Sequence, residues 1–133
     1  LGNEHKDVRF AAAHSVAAIF EEFGETCAPA YRTGELSKLF LLYTESLRHE
    51  EQVQDNLRGM KSTSNTKTQR LREDFRIVDD WESREGVAMA LRRIAELGAL
   101  KRPELPLLFT FLCNRGLGDE RLEVRQEMAG AAI

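Results

Sequence analysis

Apolar positions recur along most of the chain at intervals of three and four, the spacing that gathers side chains on one side of an α-helix. The clearest run is Asp80 to Leu97, where Val87, Leu91, Ile94 and Leu97 share a stripe. Asp79 or Asp80 stands at its cap and Glu82 and Glu85 lie toward the positive end of the helix dipole. Gly98 ends it. Upstream, Asp7 opens a pattern running to about Phe23, with Val8, Ala12, Val16, Ile19, Phe20 and Phe23 on the stripe and Ala11, Ala13, Ala17 and Ala18 keeping the other faces thin. A loop from Gly24 to Gly34, broken by Pro29, leads to a second helix on Leu36, Leu39, Phe40, Tyr43 and Leu47, widened by Leu41 and Leu42. After Gly98, Pro103 is placed to begin a helix whose stripe is Leu105, Leu108, Phe109 and Leu112, with Phe111 on the flank. Asp119 or Glu120 caps a last helix with Val124, Met128, Ala131 and Ala132 facing inward. The pattern therefore predicts five helices, near 7–23, 35–48, 80–97, 104–115 and 120–133, and no strand.

Three of these helices begin alike. Val8-Arg9, Ser83-Arg84 and Val124-Arg125 each stand near the start of an Ala-rich helix with acids just upstream. Arg84 and Arg125 lie 41 residues apart, within the period of about 40–47 residues of HEAT-type helix pairs. Arg9 and Arg84 lie 75 apart, one period plus an insertion. The fold class expected is all-α: a fragment of a HEAT-type α-solenoid, antiparallel helix pairs making about two and a half repeats. Asp7, Arg9, Arg84, Asp119 and Arg125 are the expected seam residues, the arginines bonding to an acid or a carbonyl of the adjacent turn. With both ends cutting through repeats, a piece of a longer protein is expected.

The insertion lies between His49 and Arg76, where the periodicity fades. Lys61-Ser62-Thr63-Ser64-Asn65-Thr66-Lys67-Thr68 has the composition of a flexible loop. Arg58, Lys61, Lys67, Arg70 and Arg72 follow one another with no acid between Asn56 and Arg72, a local concentration of cations able to meet phosphates. Arg92 and Arg93 add a second pair on the central helix, of which at least one must face solvent. Composition changes the picture only by exclusion. A net charge of −3 does not suit a surface built throughout for nucleic acid. No apolar run approaches the roughly 20 residues that span a bilayer, so no membrane contact is expected. Cys27 and Cys113 stand far apart without ligand spacing, and His14 has no carboxylate or second His at i+3 or i+4, so no metal site is indicated. No paired acids, activated nucleophile or phosphate-cradling glycine loop appears. Catalytic, metal and cofactor residues are therefore expected to be none, and no small-molecule substrate is implied.

The run Asp80-Trp81, Ser83-Arg84, Gly86, Ala88, Ala90-Leu91, then Leu107-Leu108-Phe109 and Phe111, then Leu117, Asp119, Glu123-Val124-Arg125 and Met128 resembles the central HEAT region of the general-control translational activator family. Asp7-Val8-Arg9 and Leu39-Phe40 to Leu47 look like the repeat before it. Two features depart from that family: the long insertion from His49 to about Asp74, and Leu112-Cys113-Asn114 where a Val-Pro turn is usual. The resemblance implies a non-catalytic scaffold segment of a cytoplasmic, ribosome-binding activator of the kinase that phosphorylates initiation factor 2. It implies the ribosome as a partner through the parent protein, with the kinase held by regions outside this segment. It also implies an elongation-factor-3-like part beyond Ile133. On that reading Arg58, Lys61, Lys67, Arg70, Arg72, Arg92 and Arg93 are the candidate rRNA contacts. The alternative is a HEAT-repeat interaction scaffold of an unrelated transport or cytoskeletal assembly.

Overall fold

A computed structural model describes residues 1–24, 29–59 and 81–133, with backbone alone for 23, 24, 29, 30 and 49–59. Its helices are α1 (Lys6–Gly24), α2 (Pro29–Gly59), α3 (Trp81–Glu96), α4 (Leu105–Asn114) and α5 (Leu122–Ala132). A 3-10 turn, Gly116–Gly118, joins the last two, and no strand occurs among the described residues. The centre is α3. It packs between α1 and α5, which run parallel to it, while α2 lies antiparallel across it. Helices α1, α3 and α5 thus make one layer and α2 with α4 the other, the stacking expected of helix pairs.

Composition explains why α3 is central. Every residue from Arg84 to Leu91 is buried, with Ile94 one turn on. Small residues let its neighbours close in: Ala13 of α1 packs on Met89 and Ala90, and Ala17 joins Val87, Ala88 and Leu91. Fully burying a Val, Leu or Ile side chain contributes about 1.5–3 kcal/mol, so a helix enclosed on all sides organises the rest. Within the second layer, rings join α2 to α4. Phe111 stacks on Phe40 at 4.3 Å between centroids and meets the edge of Tyr43 at 5.2 Å.

Several expected faces turn out rotated. In α1 the buried line is Arg9, Ala13, Ala17 and Phe20, whereas Val8 and Ile19 are 48% and 58% exposed. In α4 Phe111 is the buried ring and Phe109 is half exposed, with Leu105 also outward. Leu41 and Leu42 are exposed rather than extending the stripe of α2. The cause is the same each time. A helix in a stack has apolar surface on two sides, and only the side that faces a described neighbour is covered.

Helix ends differ too. The second helix starts at Pro29, not after Gly34, and runs past Arg48 to Gly59. Proline suits the first turn, where its missing N–H is not needed. Gly34 lies inside the helix with open space around it. The expected flexible stretch, 49–76, therefore begins as helix over 49–59, and its residues 60–76 lie outside the described residues, as do Asp79, Asp80 and Cys27. Pro103 lies in the turn before α4, closed by the Glu104 amide donating to the Lys101 carbonyl at 2.9 Å, and it is Pro106 that occupies the first turn. Gly98 ends α3 as expected. At φ +63° it lets Ala99 donate to Ile94 and its own amide to Ala95, the paired bonds of a left-handed helix stop.

The two glycines should respond oppositely to the same change. Gly98→Ala forces a Cβ into the left-handed region and should destabilise by about 1 kcal/mol. Gly34→Ala, exposed in a helix interior, should stabilise by about 0.5–1 kcal/mol. Thermal unfolding followed by circular dichroism checks both, and shifts of the same sign would contradict the assignment.

Candidate functional site

The polar residues that the fold buries are concentrated where α1, α3 and α5 begin. Arg9, 3% exposed, donates through Nη1 to the carbonyls of Asn3 (2.7 Å) and Glu4 (2.8 Å), and through Nη2 to Glu85 of α3 at 2.5 Å. Lys6 adds a second cation 3.5 Å from Glu85. The Arg9 guanidinium also lies 5.5 Å from the Trp81 ring centre, and Arg121 lies 5.4 Å from the same ring.

One repeat further along, Arg84 has no exposed surface. Its Nε donates to Asp119 Oδ2 at 2.9 Å and its Nη1 to Ser46 Oγ at 3.3 Å. Tyr43 donates its hydroxyl to the same Asp119 oxygen at 2.5 Å. Burial first, then the bond to Asp119, pushes the Tyr43 phenol well above its ordinary range, so it stays a donor. Asp119 Oδ1 accepts the Arg121 amide at 2.9 Å, and the Asp119 carbonyl accepts Arg125 Nη1 at 2.5 Å, with the Glu120 carbonyl at 3.0 Å. One carboxylate thus joins α2, α3 and the turn before α5.

At the opposite edge Arg32 of α2 donates to both oxygens of Glu104, at 2.6 and 3.2 Å, and to the Ala99 carbonyl, with its guanidinium 4.7 Å from the Phe20 ring centre. Burial works most strongly against charge on Glu104. The Arg32 bonds and the Lys101 amide outweigh it, and the carboxyl lies below its ordinary value of 4.5.

Of the residues expected at the seam, Arg9, Arg84, Asp119 and Arg125 lie in these contacts. Asp7 does not: it is exposed in the first turn of α1, and Glu85 is the carboxylate that meets Arg9. Of the expected phosphate contacts, Arg92 and Arg93 are on the surface but already answered by acids. Arg92 pairs with Glu96 at 2.9 Å and Glu127 at 3.2 Å, and Arg93 with Glu96 at 3.5 Å. The side chain of Arg58 and all of Lys61, Lys67, Arg70 and Arg72 lie outside the described residues. Sequence reasoning missed Arg32, Tyr43, Ser46, Glu85 and Glu104. Arg84-Glu85 directly before the small and apolar run 86–91 was a signal, since a charge pair carried into a buried helix must find partners. Arg32 and Glu104, 72 residues apart, left none. A groove of about 440 Å³ between α1 and α2 is walled by Val16, Ile19, Phe20, Leu39 and Leu42, with Tyr31, Arg32, Glu35 and Lys38 at its polar side. Among the described residues no cluster of His, Cys, Asp and Glu could hold a metal ion, and no helix is long and apolar enough to cross a membrane.

Two layers of alternating helices, locked by arginines that reach from one pair to the next, define an α-solenoid of helix-pair repeats. The family model described as HEAT repeats of the stalled ribosome sensor GCN1 matches residues 1–133, and the chain belongs to that family. Protein ILITYHIA of Arabidopsis thaliana is 29% identical over 133 residues, which is 100% of this chain and 4% of that protein. No solved structure matches.

Removing Arg84 leaves Asp119 buried with a weakened set of donors. Arg84→Leu should cost about 3–5 kcal/mol, the usual penalty for breaking a buried pair. That lowers Tm by on the order of 10 °C. Arg92→Leu should shift it little, because that residue is well exposed and its ion pairs are screened. Equal losses in thermal melts would count against the seam. Glu104 gives a pH test. A carboxyl whose folded pKa is depressed stabilises the fold above the unfolded value and loses that contribution as pH falls through the folded one. Below pH 4.5 the protein should lose stability, and Glu104→Gln should flatten that acid limb while lowering Tm at pH 7.

Proposed function

We propose that this chain is a non-catalytic segment of a cytoplasmic scaffold that binds ribosomes and activates the kinase phosphorylating initiation factor 2, with the kinase held elsewhere in the parent protein. The observation that carries the reading is membership of the stalled-ribosome-sensor repeats across residues 1–133. The chemistry agrees with a scaffold. The buried polar residues Arg9, Arg32, Arg84, Glu85, Glu104 and Asp119 are engaged with one another or with backbone, an arrangement that holds helices in register rather than one that reacts.

Within that scaffold the contact with rRNA falls to the insertion. Ser46 stands at the level of Arg84, and α2 continues thirteen residues beyond it, from 46 to 59, about 20 Å of helical rise. The described helix thus ends beyond the edge where α3 and α5 begin, two residues before Lys61. Arg92 and Arg93 contribute less, since Glu96 and Glu127 neutralise them.

Co-sedimentation of the full-length parent with ribosomes tests this. Changing Lys61, Lys67, Arg70 and Arg72 together to Glu should weaken association, most at low salt, because counterion release drives phosphate contacts. Unchanged association at low salt, with helicity retained, would make the insertion a spacer and leave the helix surfaces as the ribosome contact.

A further inference from the structure

Charge is divided unevenly along this chain. Helices α1, α3 and α5 together carry eight acids against six lysines and arginines. From Leu97 to Gly118, which is α4 with the turn on either side of it, the balance reverses: the one acid is Glu104, against Lys101, Arg102 and Arg115. Glu104 is 4% exposed and its carboxylate is taken by Arg32. The three cations are exposed, and none of them forms an ion pair among the described residues.

The backbone that carries them is fixed from within. Gly98, at φ +63°, stops α3. The Lys101 amide donates to Glu104 Oε2 and the Glu104 amide to the Lys101 carbonyl, both at 2.9 Å, while Arg32 reaches across from α2 to the Ala99 carbonyl. At the other end of α4 the Arg115 amide donates to the Phe111 carbonyl at 2.9 Å, and the Arg115 carbonyl accepts the Tyr43 hydroxyl at 3.3 Å. These bonds occupy main chain and leave the three side chains to solvent. Cations on a preorganised backbone lose less freedom on meeting a ligand than cations on a mobile strand. All three lie in turns, off the faces where helix packs on helix, and Glu104 to Arg115 covers about 16 Å of helical rise.

We propose that Lys101, Arg102 and Arg115 are a contact for the phosphates of an RNA backbone lying along α4, a second site beside the insertion that rests on the ribosome-binding reading. Cations at both ends of a helix are too far apart for one small anion to bridge, and suit a polymer that offers successive phosphates and releases counterions at each. A phosphate here meets no exposed carboxylate between Leu97 and Gly118, whereas at Arg92 it meets Glu96 and Glu127. Two contacts on one rigid segment also strengthen each other, since binding at one raises the local concentration at the other.

The full-length parent can be titrated with purified ribosomes in co-sedimentation over a series of salt concentrations. The triple variant Lys101→Gln, Arg102→Gln, Arg115→Gln should bind more weakly at low salt, and its plot of log affinity against log salt should be shallower by about two to three. The double variant Lys101→Gln, Arg102→Gln, confined to exposed turn residues, should show the same change in smaller measure. Arg92→Gln with Arg93→Gln removes as many charges from acid-paired positions and should alter the slope little; an equal loss there would overturn the proposal, because net charge alone would then account for the effect. With benzoylphenylalanine in place of Lys101, photo-crosslinking on the ribosome should give an adduct with rRNA, and an adduct with a ribosomal protein instead would overturn the RNA assignment. A wild-type parent that does not sediment with ribosomes would overturn the ribosome-binding reading and this site with it. Wild-type sedimentation with affinity and slope unchanged in the triple variant would overturn this site alone.

Discussion

A guanidinium with no exposed surface must be answered by charge and by hydrogen bonds, because taking either ion out of water alone costs several kcal/mol. Arg84 meets that demand only if Asp119 lies beside it, and Asp119 lies beside it only if the turn after α4 is held closely. The turn is held on three counts. Tyr43 fixes the carboxylate from α2, the Arg121 amide fixes its second oxygen, and Arg125 clasps the two carbonyls behind it. Position follows from chemistry here: the same group that neutralises α3 aligns α2 and starts α5. A hydrophobic layer alone tolerates sliding, since one alanine face resembles another. The ion pairs with their directed bonds select one register between successive helices.

The same logic explains why α1 packs as it does. Its buried line includes Arg9 rather than Val8, although Val8 is the better hydrophobe. Rotating α1 to bury Val8 would carry Arg9 away from Glu85, leaving that carboxylate, itself 1% exposed, short of its partner. Losing one valine's burial costs less than leaving a buried carboxylate with a weakened set of donors.

The period of the helices, the repeat spacing and the stop at Gly98 were legible because they are local. Which face of each helix turns inward was not. Phe109 and Phe111 sit two residues apart with equal hydrophobicity, and only the position of Phe40 on α2 decides that Phe111 is covered. The length of α2 escaped for a different reason. Beyond Leu47 the sequence His49-Glu50-Glu51-Gln52-Val53-Gln54-Asp55 has helix-forming residues but no apolar stripe, so a reading based on periodicity stops there, although helix propensity continues. Arg9, Arg84 and Arg125 were visible as a repeated text, and Asp119 as a helix cap. Their partners Glu85, Tyr43 and Ser46 were not, since a partner across a seam leaves no spacing of its own.

Electrostatics limits how this segment can meet an anionic surface. Nineteen lysines and arginines balance twenty-two acids, yet these cations are not equally available. Arg9, Arg32 and Arg84 are enclosed and bonded to carboxylates, and Arg92 and Arg93 share Glu96 and Glu127 on the surface. A phosphate approaching Arg92 would have to displace two carboxylates and sit beside them, so much of its gain is cancelled by repulsion. Exposed Lys101 and Arg102 lie in the turn near Glu104, whose charge Arg32 already answers, and Arg115 lies at the far edge beside Asp119, answered by Arg84. Neutral pairs beneath them leave these outer cations uncompensated by the seam. The packing that rigidifies the solenoid therefore also sorts its charge, consuming Arg9, Arg32 and Arg84 between helices and leaving Lys101 and Arg102 exposed at the turn before α4.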